Sequence, residues 1–352
     1  MADESEQTRL RAAVIGLGFI GAGDPVSGDA IGQQVKNLDG THDRALAGNP
    51  CVELVAGSSR DSGRRRRFTE RTGVERTYAD WCRMLAAEEL EIVCVATNSP
   101  YHAEITIACA EAGVRAVLCE KPIATRLVDA DRMIAACAQH RTVLMVNHSR
   151  RWNPLWLAAR AAIDTGEIGR VRHIAVHWPS GRLGNIGTHM FDAVRILRDG
   201  QPLAVSGTLD PHVAPDCRGP DYHDPGGWGV VRFEDDIKLF VDATQANKAP
   251  NEMRIVGEDG FIEVRRNDAV VATWAGARRI VTDDRNRPST LDMAVAETVK
   301  CLRSLAPCTS TGEDGRTALE VIVGFHVSHR LDSRWVDLPL TGADRELEVR
   351  IG

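Results

Sequence analysis

A lysine and a histidine are the side chains of this sequence best suited to move the proton of a hydroxyl group. Lys121 stands in a Glu-Lys-Pro triplet directly after the apolar run 114–119, which predicts a buried strand. His189 stands in a Gly-Thr-His triplet at the start of the predicted helix 187–198. Burial and a neighbouring positive charge lower the pKa of an amine, which then accepts a hydroxyl proton near neutral pH. A histidine can relay that proton or hold the hydroxyl. The simpler alternatives are a lysine that binds phosphate or solvent and a histidine that packs in the core.

A Gly-x-Gly-x-x-Gly loop precedes both residues and follows the first predicted strand, 11–17. In a dinucleotide-binding βαβ unit the first glycine permits a tight turn, the second lets the backbone approach the pyrophosphate, and the third allows helix–strand packing. The following helix N-terminus offers N–H groups and a positive dipole end to the phosphates. The loop therefore predicts a dinucleotide coenzyme, with a turn that binds no ligand as the alternative. The residues assigned to the coenzyme here are Gly16, Gly18, Phe19, Ile20 and Gly21.

The end of the second predicted strand, 52–58, decides which nucleotide fits. A carboxylate there would accept hydrogen bonds from the ribose hydroxyls of NAD(H). The sequence instead has Ser59 and Arg60; the arginine can pair with a 2′-phosphate and the serine can donate to it. The arginines at 64–67 add positive charge, or form a solvated helix face. We therefore favour NADP(H), with NAD(H) as the alternative because Asp61 follows one position later.

The pattern of strands and helices changes near residue 148. Before it, apolar runs alternate with helical patterns, which predicts a parallel sheet covered on both faces; the runs are 11–17, 52–58, 91–96, 114–119 and 143–147. After it, strand-like runs follow one another at 171–178, 204–209, 229–234, 238–243, 253–256, 261–265 and 270–274, with helices at 156–164, 187–198, 291–305 and 317–330. We predict an α/β fold with a Rossmann domain, 1–148, and a second α/β domain, 149–352, on an antiparallel or mixed sheet.

Bulk composition bounds the partners and the compartment. The formal net charge of −6 argues against a nucleic-acid partner, which usually requires a basic face. No apolar run is long enough to span a bilayer, and the charged first residues do not resemble a signal peptide. Nine scattered cysteines without a Cys-x-x-Cys pair suggest reduced thiols and a cytoplasmic protein. The eleven histidines show no metal-ligand spacing, so no metal is predicted.

Several motifs together resemble the Gfo/Idh/MocA oxidoreductases, the family of glucose–fructose oxidoreductase and inositol dehydrogenase. They are the glycine loop, the Glu-Lys-Pro triplet, and the segments 96–102, 187–192 and 334–340. The resemblance covers nearly the whole chain. It implies a Rossmann domain followed by an α/β domain with a large open, mostly antiparallel sheet, whose face commonly forms homodimers or homotetramers. It also implies a dehydrogenase that oxidises a ring hydroxyl of a sugar or cyclitol, or reduces the ketone.

The same resemblance assigns roles to single residues. It implies that Lys121 and His189 are catalytic. In the family, the bond between the lysine and the proline of this triplet is often cis. Family members carry a carboxylate four residues before the histidine, where this sequence has Asn185. Asparagine can hold a substrate hydroxyl but cannot take its proton, so proton transfer falls on Lys121 or His189. The residues expected along the coenzyme are Thr97, Asn98, Pro100, His102, Glu120 and Lys121.

Further residues are assigned to the substrate. Arg151 and Trp152 follow the last Rossmann strand and are expected to line the cleft, or to pack at a domain hinge. Asp192 lies one helical turn from His189 and can reach it. Two irregular segments, 24–40 and 210–227, border the expected substrate site. If the acidic second segment faces the cleft, it favours a cationic aminosugar or aminoglycoside. The alternatives to a dehydrogenase are an NAD-dependent glycoside hydrolase of the same fold and a sensor that binds nucleotide without chemistry.

Overall fold

A six-stranded parallel sheet carries the first part of the chain and matches the predicted Rossmann architecture. The computed structural model describes residues 8–25, 38–179, 181–211, 213, 215–216, 218–247, 249–282, 287–304 and 306–351. The strands are β1 (Leu10–Ile15), β2 (Val52–Ser58), β3 (Thr77–Tyr78), β4 (Ile92–Val95), β5 (Ala116–Cys119) and β6 (Val143–Val146). Their order, β3-β2-β1-β4-β5-β6, is that of a doubly wound dinucleotide-binding sheet. Every residue of β4 and β5 is buried, as parallel strands covered on both faces require.

The helices of this part are α1 (Phe19–Ala22), α2 (His42–Gly48), α3 (Ser62–Thr72), α4 (Trp81–Ala87), α5 (His102–Glu111) and α6 (Leu127–His140). The helix expected after the glycine loop is short, since α1 has four residues and Gly23 ends it in a left-handed conformation, φ +60°. Most of the segment predicted to be inserted, residues 26–37, lies outside the described residues. The sequence analysis does not predict α2, because two of its four buried residues, His42 and Asp43, are polar.

The second part of the chain forms a nine-stranded mixed sheet, which agrees with the predicted fold class. Its order is β14-β13-β12-β11-β7-β10-β9-β8-β15. Only the pair of β7 with β10 is parallel, so the sheet is mostly antiparallel among the described strands. The strands are β7 (Val171–His177), β8 (Pro202–Leu209), β9 (Gly227–Phe233), β10 (Lys238–Asp242), β11 (Glu252–Gly257), β12 (Gly260–Val264), β13 (Asp268–Thr273), β14 (Gly276–Val281) and β15 (Val336–Asp337). Two strands of this sheet were not predicted: β14, whose residues are mostly exposed at the sheet edge and show no alternation of burial, and β15, which has only two residues.

Four further helices follow β6: α7 (Pro154–Asp164), α8 (Gly187–Leu197), α9 (Thr290–Ser304) and α10 (Gly312–Arg330). The chain divides into two units, the first made of the described residues up to Ala124 with Asp129–Asn147 and Pro288–Gly312. The second contains Thr125–Val128 and the described residues of His148–Arg287 and Glu313–Gly352. The sequence analysis assigns all of 149–352 to one domain, whereas α9 returns to the first unit, where Thr298 contacts Met145 of β6. None of the described helices has the length and apolarity that a membrane crossing demands.

Candidate active site

The three glycines of the loop after β1 differ in the space around them. Gly16 has φ +102°, and a Cβ there would lie 2.4 Å from the carbonyl oxygen of Ala96. A Cβ at Gly21 would lie 1.8 Å from the carbonyl oxygen of Gly16. At Gly18 the nearest atom to a Cβ would be the Nη1 of Arg64, at 3.6 Å. The backbone at Gly18 is therefore open to a ligand, which is what the second glycine of a pyrophosphate-binding loop provides. Phe19 and Ile20 begin α1 and are half-buried.

Alanine substitutions of the second and third glycines should separate coenzyme binding from stability. Gly18→Ala has room and is expected to leave the thermal midpoint unchanged, but to raise the coenzyme Kd about tenfold or more because its methyl group occupies the space of the pyrophosphate. Gly21→Ala is expected to lower the free energy of unfolding by about 1–3 kcal/mol through the clash with Gly16. Calorimetric titration with each dinucleotide and thermal unfolding measure the two effects. Wild-type affinity in Gly18→Ala would show that the loop does not hold the pyrophosphate.

The residues after β2 are arranged around the start of α3. Asp61 caps this helix, since its carboxylate accepts a hydrogen bond of 2.9 Å from the Arg64 N–H, and this bond chiefly holds the pKa of Asp61 below its ordinary value. The Ser59 hydroxyl oxygen accepts a 3.3 Å bond from the Asp61 N–H. The Arg60 guanidinium lies over the Tyr101 ring, 5.4 Å from its centroid. Asp61 thus serves the helix, and the serine and arginine predicted to select the nucleotide lie beside it.

The segment after β4 contains the other residues predicted to contact the coenzyme. Both ring nitrogens of His102 lie 2.9 Å from carbonyl oxygens, those of Thr97 and Pro122, and burial lowers the pKa of this histidine. The neutral imidazole donates to one of these two carbonyl oxygens, and its ring lies between the loop after β4 and the loop after β5. The Thr97 hydroxyl is buried without a hydrogen-bond partner among the described residues. Asn98 is exposed and Pro100 is half-buried in a short 3-10 turn.

The carboxylate of Glu120, at the carboxyl end of β5, is held by two residues that the sequence analysis does not select. His42 of α2 has its Nε2 atom 2.9 Å from Oε1 of Glu120, and the Asn147 amide donates a 2.6 Å bond to the same oxygen. The Lys121 N–H donates to Oε2 at 3.3 Å. Glu120 is only 6% exposed, and its carboxylate belongs to a buried network of hydrogen bonds; its contact with the coenzyme stays a prediction. Asn147 directly follows β6, a position that could have marked it, whereas nothing in the sequence marks His42.

Lys121 itself is half-buried and follows Glu120 at the carboxyl edge of the parallel sheet. Its bond to Pro122 is cis. The Coulombic effect of the Lys121 ammonium is one of the causes that keep the pKa of Glu120 below its ordinary value, together with His42 and Asn147 and against the effect of burial. Ligands of open α/β sheets bind beyond this edge, where the strand order reverses. An open glycine loop, an unpartnered Thr97 hydroxyl and a lysine along one sheet edge fit a nicotinamide dinucleotide.

In the second unit His189 is the third residue of α8. Its ring meets that of His148 edge to face, with centroids 5.9 Å apart, and His148 lies 3.0 Å from the Thr188 hydroxyl. The loop before α8 is fixed by Asp224, whose carboxylate accepts bonds of 2.7 and 2.8 Å from the N–H groups of Gly184 and Asn185. The Asn185 side chain remains partly exposed.

Arg151 and Asp192, both predicted to contact substrate, form a buried ion pair with each other. The guanidinium donates through Nε at 3.0 Å to both Asp192 oxygens and through Nη2 at 2.7 Å to Oδ1. Arg151 also lies 3.1 Å from Asp314, which Arg195 contacts as well. Asp192 is fully buried, and its Oδ1 lies 3.6 Å from Nδ1 of His148. These contacts join Arg151, which follows β6, to Asp192 in the middle of α8. Trp152, the next residue in the chain, is buried.

The acidic segment 210–227 is largely occupied by internal bonds. Asp210 accepts a bond from the Gln245 N–H, Asp216 pairs with Arg218, and Asp224 holds the loop before α8. His212 lies outside the described residues. The segment therefore gives no support to the predicted preference for a cationic substrate. Within the described ranges, no cluster of three or more histidine, cysteine or acidic side chains could hold a metal ion.

The sheet order, the glycine loop and the lysine at the sheet edge define an oxidoreductase with a dinucleotide-binding Rossmann domain. Residues 10–148 match the oxidoreductase family with an NAD-binding Rossmann fold, and residues 156–263 match the GFO/IDH/MocA C-terminal domain. The chain belongs to the Gfo/Idh/MocA oxidoreductases, and the resemblance seen in its motifs is confirmed.

Individual relatives agree with this assignment. A myo-inositol 2-dehydrogenase of Thermotoga maritima is 30% identical over 92% of this chain and 97% of its own. A D-apiose dehydrogenase of Paraburkholderia graminis is 42% identical, but over only 34% of this chain and 31% of that relative. Among solved structures, a levoglucosan dehydrogenase in complex with NADH and levoglucosan has a TM-score of 0.80 at 22% identity, with 95% of this chain and 100% of that chain covered. At 22% identity, this similarity supports a common fold and nothing more specific.

Proposed function

We propose that this protein is a nicotinamide-dependent dehydrogenase that oxidises a ring hydroxyl of a sugar or cyclitol, or reduces the corresponding ketone. The observation that carries the proposal is Lys121 at the carboxyl end of β5, in a sheet whose first strand ends in an open glycine loop. The names of the relatives, among them inositol 2-dehydrogenases and a levoglucosan dehydrogenase, support a polyhydroxylated ring as substrate.

The chemistry divides between the coenzyme and the chain. When bound, nicotinamide accepts a hydride from a carbinol carbon or returns one to a ketone. Neutral Lys121 takes the hydroxyl proton during oxidation, and its ammonium form gives that proton back during reduction. The loop residues Gly16, Gly18 and Gly21 hold the pyrophosphate, and the Thr97 hydroxyl donates to the dinucleotide. The His102 ring lies between the loops after β4 and β5.

His189 is assigned the role of proton relay or anchor of the substrate hydroxyl, and Asn185 that of a substrate-binding amide. Their support is the fixed backbone before α8, where Asp224 holds two successive N–H groups, and the ring of His148 packed against His189. Asparagine in place of a carboxylate leaves His189 and Lys121 as the groups that carry the proton.

The function is tested by incubating the purified protein with a panel of sugars, cyclitols and aminosugars and each oxidised dinucleotide, read by the absorbance of reduced nicotinamide. Turnover of a neutral ring alcohol is the expected result. Cleavage of a glycoside without net change in nicotinamide absorbance would instead identify a hydrolase, and tight coenzyme binding without turnover of any member would favour a sensor. Equal turnover of neutral and amino-substituted sugars would remove the remaining case for a cationic substrate.

NADP(H) is the coenzyme we favour, while the family assignment supports NAD binding in general. Arg60, stacked on Tyr101 beside the Ser59 hydroxyl, is suited to a 2′-phosphate. Arg60→Ala is expected to raise the Kd of NADP⁺ about tenfold or more, a loss of about 1.4 kcal/mol, and to change that of NAD⁺ little. The matched control is Arg66→Ala, since Arg66 is a 74% exposed side chain on α3 paired with Glu70. Equal effects on both nucleotides, or none, would overturn the NADP(H) preference.

A homodimer or homotetramer is proposed to form through the exposed face of the nine-stranded sheet. Trp228 of β9 and Phe240 of β10 stand on that face with 56% and 44% of their surfaces exposed, and the register pairs Phe240 with Val230. Phe240→Glu is expected to shift the protein to monomers in sedimentation velocity experiments, because a charge would be buried at the contact. Leu157→Glu, on the exposed side of α7, is the control. An unchanged assembly in Phe240→Glu would exclude this face.

The compartment is proposed to be the cytoplasm. The eight cysteines of the described residues are all free thiols, as in a reducing environment.

A further inference from the structure

His42 is a fully buried histidine that lies against the Glu-Lys-Pro triplet. It is the first residue of α2, and its Nε2 atom lies 2.9 Å from the Glu120 carboxylate. Asn147 donates to the same carboxylate oxygen from the end of β6. Glu120 is thus held from two sides at the carboxyl edge of the sheet, one residue before Lys121. His42 is not among the residues that the sequence assigns to the coenzyme or the substrate.

We propose that His42 is a positioning residue that carries a positive charge, fixes the Glu120 carboxylate and neutralises it, so that Lys121 can lose its proton and act as a base. The inference rests on the role proposed above for Lys121. An uncompensated carboxylate beside an amine favours the ammonium form and makes the amine a poor base near neutral pH. A carboxylate whose charge is balanced by His42 can still bond the Lys121 N–H, but it no longer favours the ammonium form of the Lys121 side chain.

The electrostatics of the buried pair agree with the geometry. Burial alone would lower the pKa of His42, but the contacts with Cys94 and Glu120 outweigh it and raise the pKa to about 10. The pKa of Glu120 is lowered: burial opposes the shift, and His42, Asn147 and Lys121 produce it. These two directions of pKa shift favour an imidazolium beside an ionised carboxylate at neutral pH. His42 loses its proton only as the pH rises towards this raised pKa. Its positive charge therefore balances the Glu120 carboxylate at neutral pH.

Among the described residues, three acidic side chains near α2 in sequence have partners of their own. Asp43 is bonded to the Thr41 hydroxyl, Asp24 pairs with Arg67, and Asp39 accepts a bond from Thr290 of α9. The groups that face the pair itself come from four elements or their ends: Cys94 of β4, His102 of α5, Cys119 of β5, and Asn147 after β6. Lys121 is the neighbouring cation besides His42 that acts on Glu120.

The substitution His42→Gln tests the charge, since glutamine can place an N–H near the former Nε2 but stays neutral. The pKa of Lys121 is read directly, without substrate or coenzyme, from the pH dependence of its acetylation by acetic anhydride, followed by peptide mass spectrometry. We expect His42→Gln to raise this pKa by about one unit or more, and the double variant with Glu120→Gln to return it towards the wild-type value. The exposed Lys238 and Lys300 are internal references, and His140→Gln, at the exposed end of α6, is the matched control.

Glu120→Gln alone is a second and independent test, which holds even if His42→Gln does not fold. If His42 compensates the carboxylate, removing the carboxylate also discharges the buried imidazole, and the pKa of Lys121 changes little. A fall of about one unit or more in Glu120→Gln, or an unchanged pKa in a folded His42→Gln, overturns the proposal.

The pH profile of kcat/KM for alcohol oxidation is the functional readout. In His42→Gln the pH at which the rate reaches half its plateau is expected to rise by the same amount as the pKa measured by labelling. Failure of the proposed function would appear differently, as absence of turnover in the wild-type protein, while the labelling result would still decide the role of His42. A labelling shift without a matching shift of the rate profile would show that His42 tunes Lys121 but that Lys121 is not the base.

Discussion

Lys121→Met is expected to lower kcat for alcohol oxidation about a thousandfold, because methionine fills the same space but cannot accept the hydroxyl proton. Coenzyme binding should change only a few-fold, since the glycine loop and Thr97 remain. The carboxylate of Glu120 keeps its bonds to His42 and Asn147 in this variant, so the fold is expected to persist. Steady-state kinetics with the best substrate of the panel, together with calorimetric titration of the coenzyme, measure the two quantities.

The matched control is Lys300→Met, at an exposed position of α9 in the same unit. It should retain wild-type kcat and coenzyme affinity. The contrary result for Lys121→Met would be an unchanged kcat with a strongly raised coenzyme Kd, which would make the lysine a phosphate or ribose ligand. Full activity with unchanged affinity would remove Lys121 from the site and would favour the sensor.

Asp192→Asn is expected to lower the free energy of unfolding by about 3 kcal/mol, because the substitution removes the fully buried carboxylate of Asp192 and leaves Arg151 with Asp314 as its remaining acidic partner. Asp192 is fully buried, and Arg151 bonds both of its carboxylate oxygens. Burial lowers the pKa of the adjacent Arg150 to about 10, and Asp192 acts against this, so a second arginine also loses a stabilising charge. Urea unfolding at neutral pH measures the loss.

A surface ion pair on a neighbouring helix is the control for this variant. Asp164 pairs with Arg160 one turn away on α7, and its side chain is 55% exposed. Asp164→Asn should therefore cost less than about 0.5 kcal/mol. If Asp192→Asn were as mild as Asp164→Asn, the buried cluster around Arg151 would not stabilise the fold, and the prediction of substrate contacts for Asp192 would regain weight.

The local steric features of the coenzyme site could be read from the chain alone. The Gly-x-Gly-x-x-Gly spacing implies a tight turn, an open backbone and a close helix–strand approach, and the distances at Gly16, Gly18 and Gly21 bear this out. Apolar runs separated by helical patterns predicted five of the six parallel strands, because strands buried on both faces have few polar residues, but the two-residue β3 was missed. Lys121 was selected in the same way, because it directly follows the apolar run that predicts β5.

Contacts between side chains that are far apart in the sequence could not be predicted from local patterns. His42 and Glu120 are separated by 78 positions and Asp192 and Arg151 by 41, and no local periodicity links them. The segment before α2 interrupts the pattern on which a helix prediction relies, so α2 and its buried histidine were missed. From the sequence, the role of the acidic segment 210–227 is conditional on whether it faces the cleft, and no local pattern indicates that Asp224 holds the backbone before α8.

Local patterns in the chain predicted most of the parallel strands, the glycine loop and the lysine after β5, because each of these features is encoded by neighbouring residues. Only the tertiary structure decided which charges compensate one another: Glu120 with His42, and Arg151 with Asp192. The physical reason is that burying a charge is tolerated only beside an opposite charge or a hydrogen-bond partner, and folding chooses that partner from any part of the chain.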